Sequence, residues 1–324
     1  MQEEAGEIKE GRFPRKLFLL QPLMLRVCYG LVPCIMGSVY LFGLRALVLI
    51  AVVLAFGIAT EGVFTLRQGK PITSAVFVSS LILALSLPPT IPFWIAVIGI
   101  VFGVVFGKMV FGGFGHNVFN PAMVGRCFIY VTFPIAMTNR WVEPVGGIYG
   151  GFSVWFPPVD ALTTATPLRV LREGMDFPLA ELFMGNIPGS MGETAAWLIL
   201  LGGIYIIVKK SAPWRLAVSC LSGGVLLSLA LRIAGIHAVP DPLSSLLAGS
   251  FLFGTFFVVT EPISGPKTEV AQWIYGFVIG GLAIVLRKYS NFSEGIMFAV
   301  LFMNMFVPVM DMAVKGWKSH GETV

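Results

Sequence analysis

Charge is scarce in this chain: of 324 residues only 12% are Asp, Glu, Lys or Arg, against 56% hydrophobic residues and a mean hydropathy of +0.85. One water-facing globule cannot bury that much apolar surface, which excludes a soluble domain. There are only three His and four Cys. Cys28, Cys34, Cys127 and Cys220 lie scattered through apolar runs, without the close spacing that wraps a metal. They read as buried thiols. Cys28 and Cys34, near the start of the first run, leave open a cluster shared between subunits with one cysteine from each chain. No G-x-G-x-x-G follows a strand pattern, and no polar stretch is long enough for a dinucleotide-binding unit. The N-terminal stretch has mixed charge and no small-residue cleavage site behind a short apolar core, so it does not read as a signal peptide.

What the chain does have is a series of apolar runs. A bilayer core about 30 Å thick takes roughly 20 apolar residues per helical crossing, and the runs 24–43, 46–65, 73–87, 93–110, 119–137, 194–208, 214–232, 244–260, 272–287 and 294–311 are candidates. The expected fold class is therefore an all-α polytopic membrane protein with about ten transmembrane helices. Runs 73–87 and 194–208 are short, a sign of broken helices around a site. Residues 1–21 read as a cytoplasmic arm, 22–137 as a first five-helix half, 138–193 as an external loop, 194–312 as a second half and 313–324 as a cytoplasmic tail.

Orientation follows the basic residues. Lys9, Arg12, Arg15 and Lys16, then Arg67 with Lys70, Lys108, Lys209 with Lys210 and Arg215, Lys267, and Lys315 with Lys318 mark one side. The other side receives Arg45, Arg232, Arg287 and Lys288. Both termini are then cytoplasmic and the 138–193 connection external. The net charge of +5 belongs to this topology and not to a nucleic-acid-binding face. Laying Gly115–Pro134 over Phe292–Asp311 shows a polar turn before an apolar helix in each. That matches either an inverted repeat, which places a site at the midplane, or shared helix composition.

The string Asp160-Ala161-Leu162-Thr163-Thr164-Ala165-Thr166-Pro167 resembles the D-x-x-[ST]-x-A-[ST] signal at which a flavin transferase esterifies a Thr hydroxyl with FMN. Thr166 holds the acceptor position, Asp160, Thr163 and Ala165 complete the signal, and Thr164 stands where Gly is common. Small Ala165 leaves the backbone open to an enzyme, and a covalent bond fixes the cofactor at high effective concentration. A Thr/Pro turn or a helix N-cap would use the same residues.

Four further strings accompany it: Gly115 to Ala122 (GHNVFNPA), Gly185 to Thr194 (GNIPGSMGET), Thr260 to Pro266 (TEPISGP), and Ser293-Glu294-Gly295 through Asn304. Together, over about residues 20–312, they resemble the family of the D-type membrane component of the Rnf ion-translocating oxidoreductase and, more distantly, the B-type component of the sodium-pumping NADH:quinone reductase. The resemblance implies two five-helix inverted halves of urea-transporter-like architecture, FMN on Thr166, and a second, noncovalent flavin such as riboflavin. It also implies an inner-membrane complex of several subunits, one of them a second FMN carrier. Electrons from reduced ferredoxin to NAD⁺ would be relayed through this component, coupled to Na⁺ or H⁺ transport, with neither substrate bound by this chain.

Asn117 and Asn120 would open the fifth span, as flavin contacts or as helix caps with interhelical hydrogen bonds. Glu261, where the family commonly has Asp, is a functional candidate if its turn re-enters the membrane and a partner of Lys267 if it meets water. Arg126 needs an anion, a flavin phosphate or a carboxylate, unless it snorkels. His116 reads as a capping or interfacial residue, Glu61 and Asp311 as interfacial, and Gly99, Gly103 and Gly107 as a packing face. A function of another class, a channel for small neutral solutes, is compatible with the same fold.

Overall fold

A computed structural model describes residues 16–138, 141–156, 166–236, 239–290 and 295–321. Helix α1 (Pro22–Phe42) begins with Pro at its first turn, where the missing N–H costs nothing, and ends at Gly43. Gly43 has φ +87, which turns the chain directly into α2 (Leu44–Arg67). The short α3 (Ala75–Leu85) precedes α4 (Phe93–Val104), whose last turn widens into a π segment, Val105–Met109. Then come α5 (Pro121–Thr132), α6 (Pro134–Thr138), and the short α7 (Pro167–Arg172) and α8 (Leu179–Met184). The second part holds α9 (Ala196–Val208), α10 (Trp214–Ile233), α11 (Pro242–Leu247), α12 (Phe251–Phe253) with a second π segment (Gly254–Val259), α13 (Glu269–Tyr289), α14 (Gly295–Asn304) and α15 (Val307–Gly321).

Among the described residues, helices α1, α2, α10 and α13 are each long and apolar enough to cross a membrane, and α14 with α15, bent by 53° at their break, passes the same test as a pair, as a broken span or a re-entrant loop. The chain is a multi-pass helical membrane protein. The expected spans 244–260 and 294–311 are thus not single rods. The first is split at Ala248 to Ser250, and the second breaks just before Pro308, which cannot donate to a continuing helix. Asp311, placed at an interface by the sequence, caps α13: its carboxylate accepts from Lys267 N at 2.9 Å, Thr268 N at 3.0 Å and Thr268 Oγ1 at 2.8 Å.

Tight packing replaces the hydrophobic drive that water would supply. Gly99 and Gly103 of α4 face α5 so closely that an added Cβ would run into Ile129 and the Pro121 carbonyl. Residues 16–21, the end of the expected N-terminal arm, are docked on the helices. Phe18–Leu19 pairs in parallel with Ile72–Thr73 as a two-residue ladder, and Gln21 exchanges hydrogen bonds with Ser74 at 2.9 and 3.0 Å. The long connection is ordered where it is described, with Val145 N donating to Leu41 O at 2.7 Å and Leu44 N to Val154 O at 3.0 Å.

Candidate functional site

Two cavities are tied to α5, one directly and one through Arg126. At its N-terminus a small cavity is lined by Ser79, Lys108, Asn117, Asn120, Glu261 and Met24, among others. Asn120 has an extended backbone, and its Oδ1 accepts from Ala122 N at 3.0 Å and Met123 N at 3.2 Å, so it caps α5 while also facing the cavity. Asn117 donates to Phe119 O at 3.2 Å. Asn304, with its amide oriented to satisfy both neighbours, accepts from Asn120 N at 3.1 Å and donates to Tyr275 Oη at 2.5 Å. That ties α14 and α13 to the start of α5.

Glu261 sits just after the second π segment and accepts from the Ser264 hydroxyl and from Ser264 N at 3.4 Å. The expected alternative, a pair with Lys267, does not form: Lys267 Nζ bonds the carbonyls of Pro262 and, at 3.2 Å, Ile263. His116 is exposed and off this cavity.

Two buried charges, one of them in the cavity wall, were not singled out as site residues in the sequence. Glu61, read as interfacial, is fully buried, and Lys108, counted with the polar connections, is 2% exposed. Lys108 Nζ lies 2.6 Å from Glu61 Oε2 and 2.8 Å from Thr73 Oγ1, while Glu61 Oε1 accepts from Thr73 N at 2.9 Å and Thr73 Oγ1 at 2.6 Å. An isolated charge inside a bilayer is costly, so the two meet across three elements. The signal was present: opposite ionisable residues inside two apolar runs. π turns frequently occur at functional sites; here one carries Lys108 and the other leads into Glu261.

The second cavity is lined by Thr166, Trp141, Ser190, Glu193, Thr194 and Gly249 with neighbouring residues. Thr166 is the half-buried N-cap residue of α7, but its hydroxyl makes no capping bond, so the N-cap alternative does not engage it. Asp160, Thr163 and Ala165 lie outside the described residues. Behind the cavity Arg126, 1% exposed, binds Glu193 in a bidentate pair at 2.7 and 3.3 Å and reaches Ser190 at 3.5 Å. Of the partners expected for Arg126, the carboxylate is found, and snorkelling is excluded. Glu193 was visible in the sequence only as a letter in the Gly185–Thr194 string. Thr194 is 2% exposed, and its Oγ1 has no hydrogen-bond partner.

Asn120, in the wall of the first cavity, and Arg126, bound to Glu193 in the wall of the second, are six residues apart along α5, about 9 Å of axial rise. Cys34 and Cys220 are buried and Cys28 and Cys127 half-buried; no metal-binding group of three or more His, Cys, Asp or Glu occurs among the described residues.

Residues 11–318 match the model of the NQR2, RnfD, RnfE family. The D component of an ion-translocating oxidoreductase complex from Halorhodospira halophila is 33% identical over 94% of this chain and 93% of its own length, and its counterpart from Vibrio cholerae is 30% identical over 87% and 90%. The B component of a Na(+)-translocating NADH-quinone reductase from Pseudoalteromonas atlantica is 36% identical over 78% of this chain but only 62% of its own length. With a match along nearly its whole length, the chain belongs to the NQR2, RnfD, RnfE family.

Proposed function

We propose that this chain is the membrane flavoprotein component of an Rnf-type ion-translocating oxidoreductase. It carries FMN as a phosphoester on Thr166, seats a second, noncovalent flavin in the Glu261 cavity, and relays electrons between them. Overall electron flow, from reduced ferredoxin to NAD⁺, is coupled to Na⁺ or H⁺ movement, and the substrates bind other subunits. The protein sits in the cell inner membrane with both termini cytoplasmic and the Thr166 loop outside. Its partners are the remaining subunits, including a second FMN carrier, and a flavin transferase during maturation.

The observation that carries this reading is the pair of cavities connected through α5, one lined by Asn117, Asn120 and Glu261, the other by Thr166 and by Glu193, which Arg126 of α5 holds. The residues present suit the groups. Thr166 offers a hydroxyl that makes no capping bond, and the buried Thr194 Oγ1 beside it has no hydrogen-bond partner and can receive a polar ligand atom. In the other cavity Asn117 and Asn120 supply amides, and Glu261 and Lys108 supply charge of both signs, a donor and acceptor set suited to a polyol and a heterocyclic edge. Bound flavin supplies reversible one-electron chemistry. The chain's own residues orient it, Arg126 and Glu193 brace the wall between the seats, and packed apolar helices exclude water.

A two-half arrangement is supported by the order of packing: α2 on α3 and α4, and α4 on α5, correspond to α10 on α11 and α13, and α13 on α14. Across the halves α1 meets α9 and α5 meets α14.

The test is mass measurement of the peptide containing Thr166, from chain purified out of cells that possess the transferase, with in-gel fluorescence alongside. An FMN-sized increase that Thr166→Val abolishes is expected. An unmodified, dark chain rejects the relay and favours the solute channel.

A further inference from the structure

A third cavity lies beyond the two already described, lined by Leu168, Val239, Pro240 and Ile284 with Arg172, Arg287 and Lys288. Leu168 also lines the Thr166 cavity, so the two chambers share a wall. Gly249 stands at the same partition: at φ +63, a side chain added there would meet both Leu168 and the Arg287 guanidinium at 3.4 Å. One chamber is polar, with the Thr166 and Thr194 hydroxyls; the other is apolar with a basic rim.

The basic rim is built into the helices. Arg287, in the last turn of α13, donates to Ser245 O at 2.7 Å and Ala248 O at 3.0 Å. Arg172, in the last turn of α7, donates to Ser290 O at 2.6 Å. In the other half Lys108, near the end of the π turn that extends α4, is held by the Glu61 carboxylate of α2 and by the Thr73 hydroxyl just ahead of the short α3. Each half thus holds a buried cation near the end of a helical segment, and each cation lines a cavity.

We infer that the apolar chamber rimmed by Arg172, Arg287 and Lys288 is the seat of the ring system of the flavin carried on Thr166, with the polar chamber holding its polyol chain. The inference rests on Thr166 being the carrier. An isoalloxazine has an apolar benzenoid end and a polar edge that gains negative charge on reduction. Leu168, Val239 and Ile284 suit the first and the three cations the second. The same cations raise the affinity of the seated ring for electrons.

The test uses the full chain purified with the transferase present, comparing the parent with Arg172→Gln, Lys288→Gln and the chamber-filling Val239→Trp. Peptide mass reports attachment, redox titration reports the potential of the covalent flavin, and iodide quenching of its fluorescence reports exposure. The expected result is FMN on Thr166 in all four. In the two charge variants the ratio of reduced to oxidised flavin at fixed potential falls about tenfold, a shift of about 59 mV to lower potential for a one-electron couple, and in Val239→Trp quenching rises. Attached FMN with unchanged potential in both charge variants and unchanged quenching in Val239→Trp overturns the seat while leaving Thr166 as the carrier. A parent chain without FMN on Thr166 overturns both.

Discussion

The two buried ion pairs flanking α5 differ in how completely each charge is held. Arg126 and Glu193 meet fork to fork, two oxygens on two nitrogens, a geometry that fixes the planar guanidinium and leaves it one arrangement. Lys108 is a point charge on a flexible stem, sharing Glu61 with Thr73 and lining the same cavity as a second carboxylate, Glu261. The first pair is suited to bracing a wall, the second to answering a change of charge in the cavity beside it. Burial alone does not distinguish them; the second carboxylate and the choice of Lys do.

Breaking the brace should have the largest effect. Glu193→Ala leaves the Arg126 guanidinium buried without its carboxylate and is expected to cost about 3–5 kcal/mol, read as a large fall in the thermal midpoint of the detergent-solubilised chain. A near-unchanged midpoint would mean the pair braces nothing. Glu61→Gln sharpens the contrast: its amide oxygen replaces only one of the two carboxylate oxygens that Lys108 and Thr73 use. A Lys, unlike the Arg126 guanidinium, can give up its proton when its counter-ion is lost, so a smaller loss of about 1–3 kcal/mol is expected in the same measurement. Should it match Glu193→Ala, the proposed difference in tolerance fails. Asn120→Ala removes the cap of α5 and costs about 1 kcal/mol. On the proposed function it also releases noncovalent flavin, measurable by extraction and chromatography. Thr166→Val removes a hydroxyl that caps nothing, so stability changes by less than about 0.5 kcal/mol, while covalent FMN disappears from the peptide.

Much of the fold was legible because apolar runs and their punctuation are local signals. Each expected run contains helix, and the short runs 73–87 and 194–208 match the short helices α3 and α9. Interruptions were less legible, since a π turn such as Gly254–Val259 changes only the winding and has no compositional mark. At the sites, Asn117, Asn120 and Glu261 were singled out one by one, and the structure brings them to one cavity. Glu61 and Lys108 were missed for a physical reason. Counting charges assigns each Lys to the nearest polar connection, whereas its counter-ion is 47 positions away in sequence and adjacent in space. Arg126 was recognised as needing an anion, but nothing local identified Glu193.

The small ladder at the start of the chain has a mechanical consequence. Leu19 O accepts from Ser74 N at 3.0 Å, the neighbouring Thr73 is clasped by Glu61, and Glu61 grips Lys108. A tug on the leading segment from whatever it is fastened to is therefore delivered, through a handful of stiff links, to the Lys108 ammonium bordering the Glu261 cavity.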